Sequence, residues 1–169
     1  RRTVPVWVPL GLHAIGLVLW GALRPLAILH LAAVTAGTVA FLVGLCVYFS
    51  TRLRRTTTAV LAALGTATLL WLVVPAVGGM LAGAAANWAR DALAVYLSTN
   101  PVVQAVVVVV GGAVRPEQTA AGGPSYSWPM GWLGSGATTA LTLAYALGYG
   151  AAGAVMAWRA ARRFRRDVF

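Results

Sequence analysis

Two histidines, His13 and His30, fall inside long apolar runs, and three polar residues, Asn87, Arg90 and Asp91, gather within one helical turn further along. An ionisable side chain at membrane depth marks a pathway for ions, protons or substrate, so both histidines are candidate pore or gating residues. The Asn87, Arg90 and Asp91 group is a candidate gate at the outer mouth. Plainer roles compete with these: a neutral imidazole can hydrogen-bond a neighbouring helix, and a local ion pair at an interface accounts for the trio. Thr35, Thr38, Thr66, Thr68, Thr138, Thr139 and Thr142 can satisfy themselves on their own helices. No convergent polar site is legible from these residues.

Catalysis finds little to work with. The acids are Asp91, Glu117 and Asp167, all outside the apolar runs, and no Ser/His/Asp set or H-E-x-x-H sequence occurs. The chain has no Lys, so it cannot offer the G-x-x-x-x-G-K loop that cradles nucleotide phosphates. Any ATP hydrolysis would take place on another subunit, and the chain itself reads as a non-enzyme. The one cysteine, Cys46, lies inside an apolar run and provides neither a disulfide framework nor metal-ligand spacing, so no cofactor or metal is expected.

The elements that position these residues are set by apolar length. A helical crossing needs about 20 apolar residues. Residues 4–23, 27–49, 59–83 and 132–158 each supply that length without a charged side chain. The mean hydropathy of +0.80, with 60% hydrophobic and 9% charged residues, leaves a soluble domain of this size too little polar surface to cover itself. The formal charge of +10 is carried on short flanks of the apolar runs rather than on a basic face, which argues against nucleic acid and for anionic lipid headgroups as partners. With alternating loops, Arg1, Arg2, Arg52, Arg54, Arg55, Arg159, Arg162, Arg163, Arg165 and Arg166 fall on one side and Arg24, Arg90 and Arg115 on the other. The positive-inside rule then puts both ends of the chain and the 50–58 loop in the cytoplasm of a multi-pass protein of the cell inner (plasma) membrane. Arg52, Arg54, Arg55, Arg162, Arg163, Arg165 and Arg166 form its cytoplasmic anchor.

Residues 84–114 do not read as a simple loop. A helix over 84–97, carrying Trp88 and Tyr96, is broken at Asn100-Pro101 and followed by an apolar segment, 102–110, that ends at Gly111-Gly112 and is too short to cross. This spacing predicts a re-entrant segment on the outer side. Gly, Pro and Ser over 111–131 mark an exposed connection, with Tyr126, Trp128 and Trp132 at headgroup level. Pro75, with Gly78 and Gly79, is placed to kink the outer end of the third run. Small residues recur every fourth position in the last run (Gly136, Ala140, Ala144, Gly148, Ala152) and in the second (Ala32, Ala36, Ala40, Gly44). Such stripes suit packing within the chain or a dimer seam. The fold expected is an all-α integral membrane domain, a bundle of four transmembrane helices with an outer re-entrant hairpin before the last span.

The run Tyr48-Phe49-Ser50-Thr51-Arg52-Leu53-Arg54-Arg55-Thr56-Thr57-Thr58-Ala59 resembles the short cytoplasmic turn of type-2 ATP-binding-cassette (ABC) transporter permeases. Asn100-Pro101 before an apolar segment, Trp128-Pro129 ahead of the last span and the ending Arg162-Arg163-Phe164-Arg165-Arg166-Asp167-Val168-Phe169 are similar to the C-terminal half of that family. The resemblance covers nearly the whole chain through the order and spacing of these motifs. It implies a permease subunit of an exporter that works as a dimer, with a second permease copy or homologue and a separate ABC ATPase subunit as partners. In that family a permease half has six spans and an outer re-entrant hairpin before the sixth, so this chain corresponds to spans three to six. Arg1, with no initiator Met, fits the expectation of a C-terminal portion of a longer polypeptide. The reading from a different class is a non-transporting membrane scaffold, whose small-residue stripes only hold partners. A neighbouring gene for an ATPase would favour transport.

The arginine distribution makes the first prediction. In a Cys46→Ser background, Thr57→Cys and Gly123→Cys should react with an impermeant thiol reagent from opposite sides of the membrane; labelling of both from one side would sink the four-span expectation.

Overall fold

A computed structural model describes residues 11–13, 15–17, 19–82, 87–113 and 125–168 of the chain. The fold is all-α with one small β-hairpin. Helix α1 is Pro25–Ser50; α2 is Thr56–Thr68, which passes through a π-helical turn, Leu69–Val73, into α3, Val74–Ala82. Helix α4, Asn87–Thr99, and α5, Pro101–Gly112, meet at Asn100; strands β1, Ser125–Trp128, and β2, Gly131–Gly134, lead into α6, Ser135–Val168. Among the described residues, three stretches are long and apolar enough to cross a membrane: Pro25–Ser50, Thr56–Ala82 and Ser135–Phe164. They correspond to the expected runs 27–49, 59–83 and 132–158. The α4–α5 pair, bent by 78°, would be a fourth only if counted as one span. Of the expected first span, 4–23, residues 1–10 lie outside the described residues, and 11–13, 15–17 and 19 are helical.

Local sequence accounts for the boundaries. Pro25 starts α1 at a position where its missing N–H is no loss. Asn100 caps α5, its side chain accepting from the Val102 N–H at 2.9 Å, while Pro101 occupies the first turn. At the end of α1 the carbonyls are covered by hydroxyls: Ser50 Oγ donates to the Val47 carbonyl and Thr51 Oγ1 to that of Tyr48, each at 2.8 Å. Small-residue spacing in α2 places Ala59, Ala63 and Ala67 on one buried face, and Ala63 packs with Phe41 and Leu45 of α1.

Helices α1 and α6 form the most extensive contact and run parallel. Their contacts keep one offset: His30 meets Thr139, Gly37 meets Ala146 and Gly44 meets Gly153, each pair 109 residues apart and each step seven residues long. A seven-residue step is the spacing of a left-handed helix pair. The seam is tight enough to exclude a Cβ. One added at Gly37 would stand 2.7 Å from the Ala146 Cα, and one at Gly44 would stand 2.5 Å from the Gly153 Cα.

This seam corrects the stripe reading for the last helix. Gly136, Ala140, Ala144 and Gly148 are exposed, and nothing lies within 4 Å of a Cβ placed at Gly136 or Gly148. The buried face instead carries Thr138, Thr142, Gly153 and Ala160. So many positions of this chain are Ala or Gly that a four-residue recurrence exists on more than one face, and backbone approach rather than periodicity selects the seam. In α1, Gly44 does belong to it; Ala32 and Ala36 are exposed.

The exposed connection expected over 111–131 needs a second correction. Residues 114–124 are outside those described, but 125–134 fold as an antiparallel hairpin with Tyr126 opposite Leu133 and Trp128 opposite Gly131. Tyr126 and Trp128 share one face, by the period of two, and are buried against Val103 and Val107 of α5 and Leu141 of α6. Trp132 alone of the three is exposed. Gly111 leaves room for the Tyr126 ring and Gly112 for Ala27, so the Gly pair permits close approach in addition to ending the apolar segment.

Gly44→Ala should force α1 and α6 apart and destabilise the protein by about 1–3 kcal/mol, whereas Gly148→Ala should be neutral or slightly stabilising. Thermal unfolding in detergent would reveal the difference, and equal effects of the two would contradict the seam.

Candidate functional site

The densest polar arrangement forms where the π-helical turn before Pro75 faces the bend at Asn100-Pro101. Pro75 has no N–H to give to the carbonyls one turn earlier, Leu70 in the π register and Trp71 in the α register. Both are taken by side chains from the end of α4: Tyr96 OH donates to the Leu70 carbonyl, and Asn100 Nδ2 donates to the Trp71 carbonyl at 2.7 Å. The second interruption, at Asn100-Pro101, frees carbonyls in turn. Gln104 Nε2 donates to the Ser98 carbonyl at 3.0 Å, and Tyr149 OH, from α6, donates to that of Thr99 at 2.7 Å. Each break is therefore satisfied by side chains belonging to another segment. Ser98, Asn100 and Gln104 are all buried.

Beside this elbow lies a pocket of about 210 Å³. Phe41, Trp71 and Tyr149 form one wall, their ring centroids 5.5 to 6.1 Å apart, and Leu70, Tyr96, Thr99 and Asn100 complete it. Trp71 is the sixteenth of 27 residues in the apolar helix Thr56–Ala82, and Tyr149 the fifteenth of 30 in Ser135–Phe164. The pocket thus sits halfway along both helices. It offers aromatic side chains, with polar groups on Tyr96, Thr99, Asn100 and Tyr149, and among its lining residues no carboxylate, thiol or imidazole.

The histidines lie elsewhere. His30 is buried near the start of α1, with Nε2 2.8 Å from Thr139 Oγ1. Since Thr139 Oγ1 donates to the Ser135 carbonyl, the network assigns Nε2 as the donor. Nδ1 of His30 and the hydroxyl of Tyr126 are both buried without a hydrogen-bond partner among the described residues, and their rings meet edge-on with centroids 5.7 Å apart. Burial pushes the Tyr126 phenol up, with the Arg24 charge opposing, and the phenol stays neutral. Trp128 Nε1 donates to Thr138 Oγ1 at 3.1 Å beside them. His13 is exposed, and so are Asn87, Arg90 and Asp91, which lie within the first turns of α4. Arg90 Nε donates to the Ala82 carbonyl at 2.9 Å, tying the start of α4 to the end of α3. Thr38, Thr66, Thr139 and Thr142 bond back to their own helices.

The arginines gather at the far end of α1 and α6. Arg52, Arg159, Arg162 and Arg163 line one recess, while Arg54 and Arg55 are exposed in the loop before α2. Arg165 and Arg166 lie in the last turns of α6. Among the described residues no three His, Cys, Asp or Glu side chains come together as a metal site.

No family model, curated protein or solved structure matches the chain. The elbow pocket went unread in the sequence because its key acceptors are main-chain carbonyls. Pro75 and Asn100-Pro101, two helix breaks about 25 residues apart, were the available signal.

The reciprocal bonding at the elbow is testable by a double-mutant cycle. Asn100→Ala removes both a cap and the donor to Trp71 and should cost about 2–3 kcal/mol. Pro75→Ala restores a main-chain N–H one turn beyond Trp71, so Asn100→Ala should cost at least about 1 kcal/mol less in that background. An unchanged cost would refute the carbonyl exchange.

Proposed function

We propose that the chain is a membrane-spanning part of an ABC-type exporter permease that moves substrate past the elbow pocket when a separate ATPase subunit cycles. The observation that carries this reading is the pocket's position, at the broken α4–α5 pair and the π-helical turn before Pro75, halfway along the apolar spans. In lipid, interrupted backbone is tolerated only where protein or a cavity satisfies it, and discontinuous helices near the midplane are where transporters bind their cargo.

The parallel course of α1 and α6 supports the re-entrant part of the reading. If α1 crosses in one direction and α2–α3 crosses back, α6 can run parallel to α1 only when residues 87–134 return to the side they left. The Arg24 N–H bonded to the Gly112 carbonyl at 3.0 Å, and Arg90 bonded to Ala82, tie both outer ends of the α4–α5 pair to that same end of the bundle. The pair then dips to mid-depth at Asn100 and comes back. Four spans follow when residues 4–23 cross as well, and the arginine count puts the 50–58 loop in the cytoplasm. ATP binding on the partner would drive transport by favouring one arrangement of the helix bundles over another through differential contact energy.

The test uses the full-length protein purified from its native membrane in mild detergent. An ATPase with a phosphate-binding loop should co-purify, and trapping it with ATP and vanadate should change the maleimide reactivity of Thr99→Cys, in a Cys46→Ser background, several-fold as the pocket opens or closes to water. If no ATPase co-purifies and the thiol reacts alike in both conditions, the exporter reading fails and a membrane scaffold is the better account.

A further inference from the structure

We propose that the recess between the end of α1 and the last third of α6 is a binding site for the phosphate of one anionic lipid headgroup. It encloses about 600 Å³, and Tyr48, Thr51, Arg52, Trp158, Arg159, Arg162 and Arg163 are among its lining residues. The inference is independent of the transport reading.

Two of the arginines are held in place before any ligand arrives. The Arg52 guanidinium lies 4.8 Å from the Tyr48 ring centroid, and that of Arg162 lies 3.9 Å from the Trp158 ring. Stacking leaves the guanidinium edges, which carry the N–H donors, available to phosphate oxygens, and less side-chain freedom is lost on binding than for a free arginine. The carbonyl end of α1 would otherwise repel an anion. The Ser50 and Thr51 hydroxyls and the N–H groups of Arg52 and Leu53 cover its last carbonyls, which removes part of that negative potential. The sole carboxylate whose side chain is described is Asp91, at the other end of the bundle. Asp167 stands four positions beyond Arg163, so the assignment rests on Arg52, Arg159 and Arg162.

The surroundings select a lipid over a soluble phosphate. One helical turn before the recess, Val47 on α1 and Val155 on α6 are exposed, with Val43 a further turn along. An acyl chain can lie on this apolar track while its phosphate reaches the arginines. Three cations around one site favour a net-negative headgroup and disfavour one that carries its own ammonium.

Native mass spectrometry of the full-length protein from nanodiscs of mixed phosphatidylglycerol and phosphatidylcholine tests this. The unmodified protein should retain one phosphatidylglycerol per chain, and Arg52→Gln with Arg162→Gln should lower that retention about tenfold or more. Arg54→Gln with Arg55→Gln removes the same charge outside the recess and should leave retention unchanged. Arg52→Lys with Arg162→Lys keeps charge without the planar fork and should retain less than the unmodified protein. The proposal is overturned if the Arg54 and Arg55 pair matters equally, if Lys restores retention in full, or if an excess of inorganic phosphate displaces the lipid completely. Unchanged lipid retention with loss of a co-purifying protein in the Gln pair would instead assign these arginines to a protein carboxylate.

Discussion

A main-chain carbonyl buried without a donor in an apolar medium costs several kcal/mol, and the arrangement of this bundle follows from meeting that constraint at two helix breaks. Pro75 removes an N–H from within an apolar helix, and the 78° bend at Asn100-Pro101 leaves the last carbonyls of α4 without a following helical turn. The Asn100 N–H covers the Leu97 carbonyl from within the turn, but the remaining carbonyls at both places take donors from side chains further along the chain. The solution exchanges donors between segments: Tyr96 of α4 and Asn100 at the elbow serve the turn before Pro75, and α5 and α6 supply Gln104 and Tyr149 to the turn before Pro101. Three otherwise separate elements are thereby fixed relative to one another, and the space left between their aromatic side chains is the pocket.

The α1–α6 seam works by a different rule. Lipid supplies no hydrophobic drive between helices, so close backbone approach has to come from residues without bulk. Gly37, Gly44 and Gly153 recur at seven-residue steps that keep two parallel helices in register over their length. The same register continues to Thr51 and Ala160, where the arginine-lined recess opens. The pocket at mid-depth and the recess at the helix ends are thus built on one rigid pair. Phe41 and Tyr149, which wall the pocket, lie between the two tightest contacts, 37 with 146 and 44 with 153.

Much of the helical layout was legible because it rests on composition. The apolar runs 27–49, 59–83 and 132–158 and the break at Asn100-Pro101 depend on local hydropathy and on proline, and the observed helices begin within three residues of the runs, with the last continuing past its expected end into the arginines. The β-hairpin was not legible. Its strands are four residues each, and Tyr126 and Trp128 read as interfacial aromatics because nothing local distinguishes a ring facing lipid headgroups from one facing α5. The elbow was half legible: the prolines announced broken helices, but which side chains would reach the freed carbonyls depends on segments 25 to 50 residues away. The site residues read from ionisable side chains, His13, His30, Asn87, Arg90 and Asp91, do not line the pocket.

The contrast between the two ends of α5 bears on where this fold can change. At its start, in the elbow, the main-chain groups left over by the prolines find donors, and rearrangement would have to break Asn100, Gln104 and Tyr149 bonds together. At its end, packed beneath the hairpin, His30 Nδ1 and Tyr126 OH are buried and unmatched among the described residues. Unmatched buried polar atoms raise the free energy of the packed arrangement without raising that of an opened one, where water can reach them. If the chain is the permease part proposed above, its arrangements would pivot on the elbow and the α1–α6 seam, where shared donors and close backbone contacts hold the segments together.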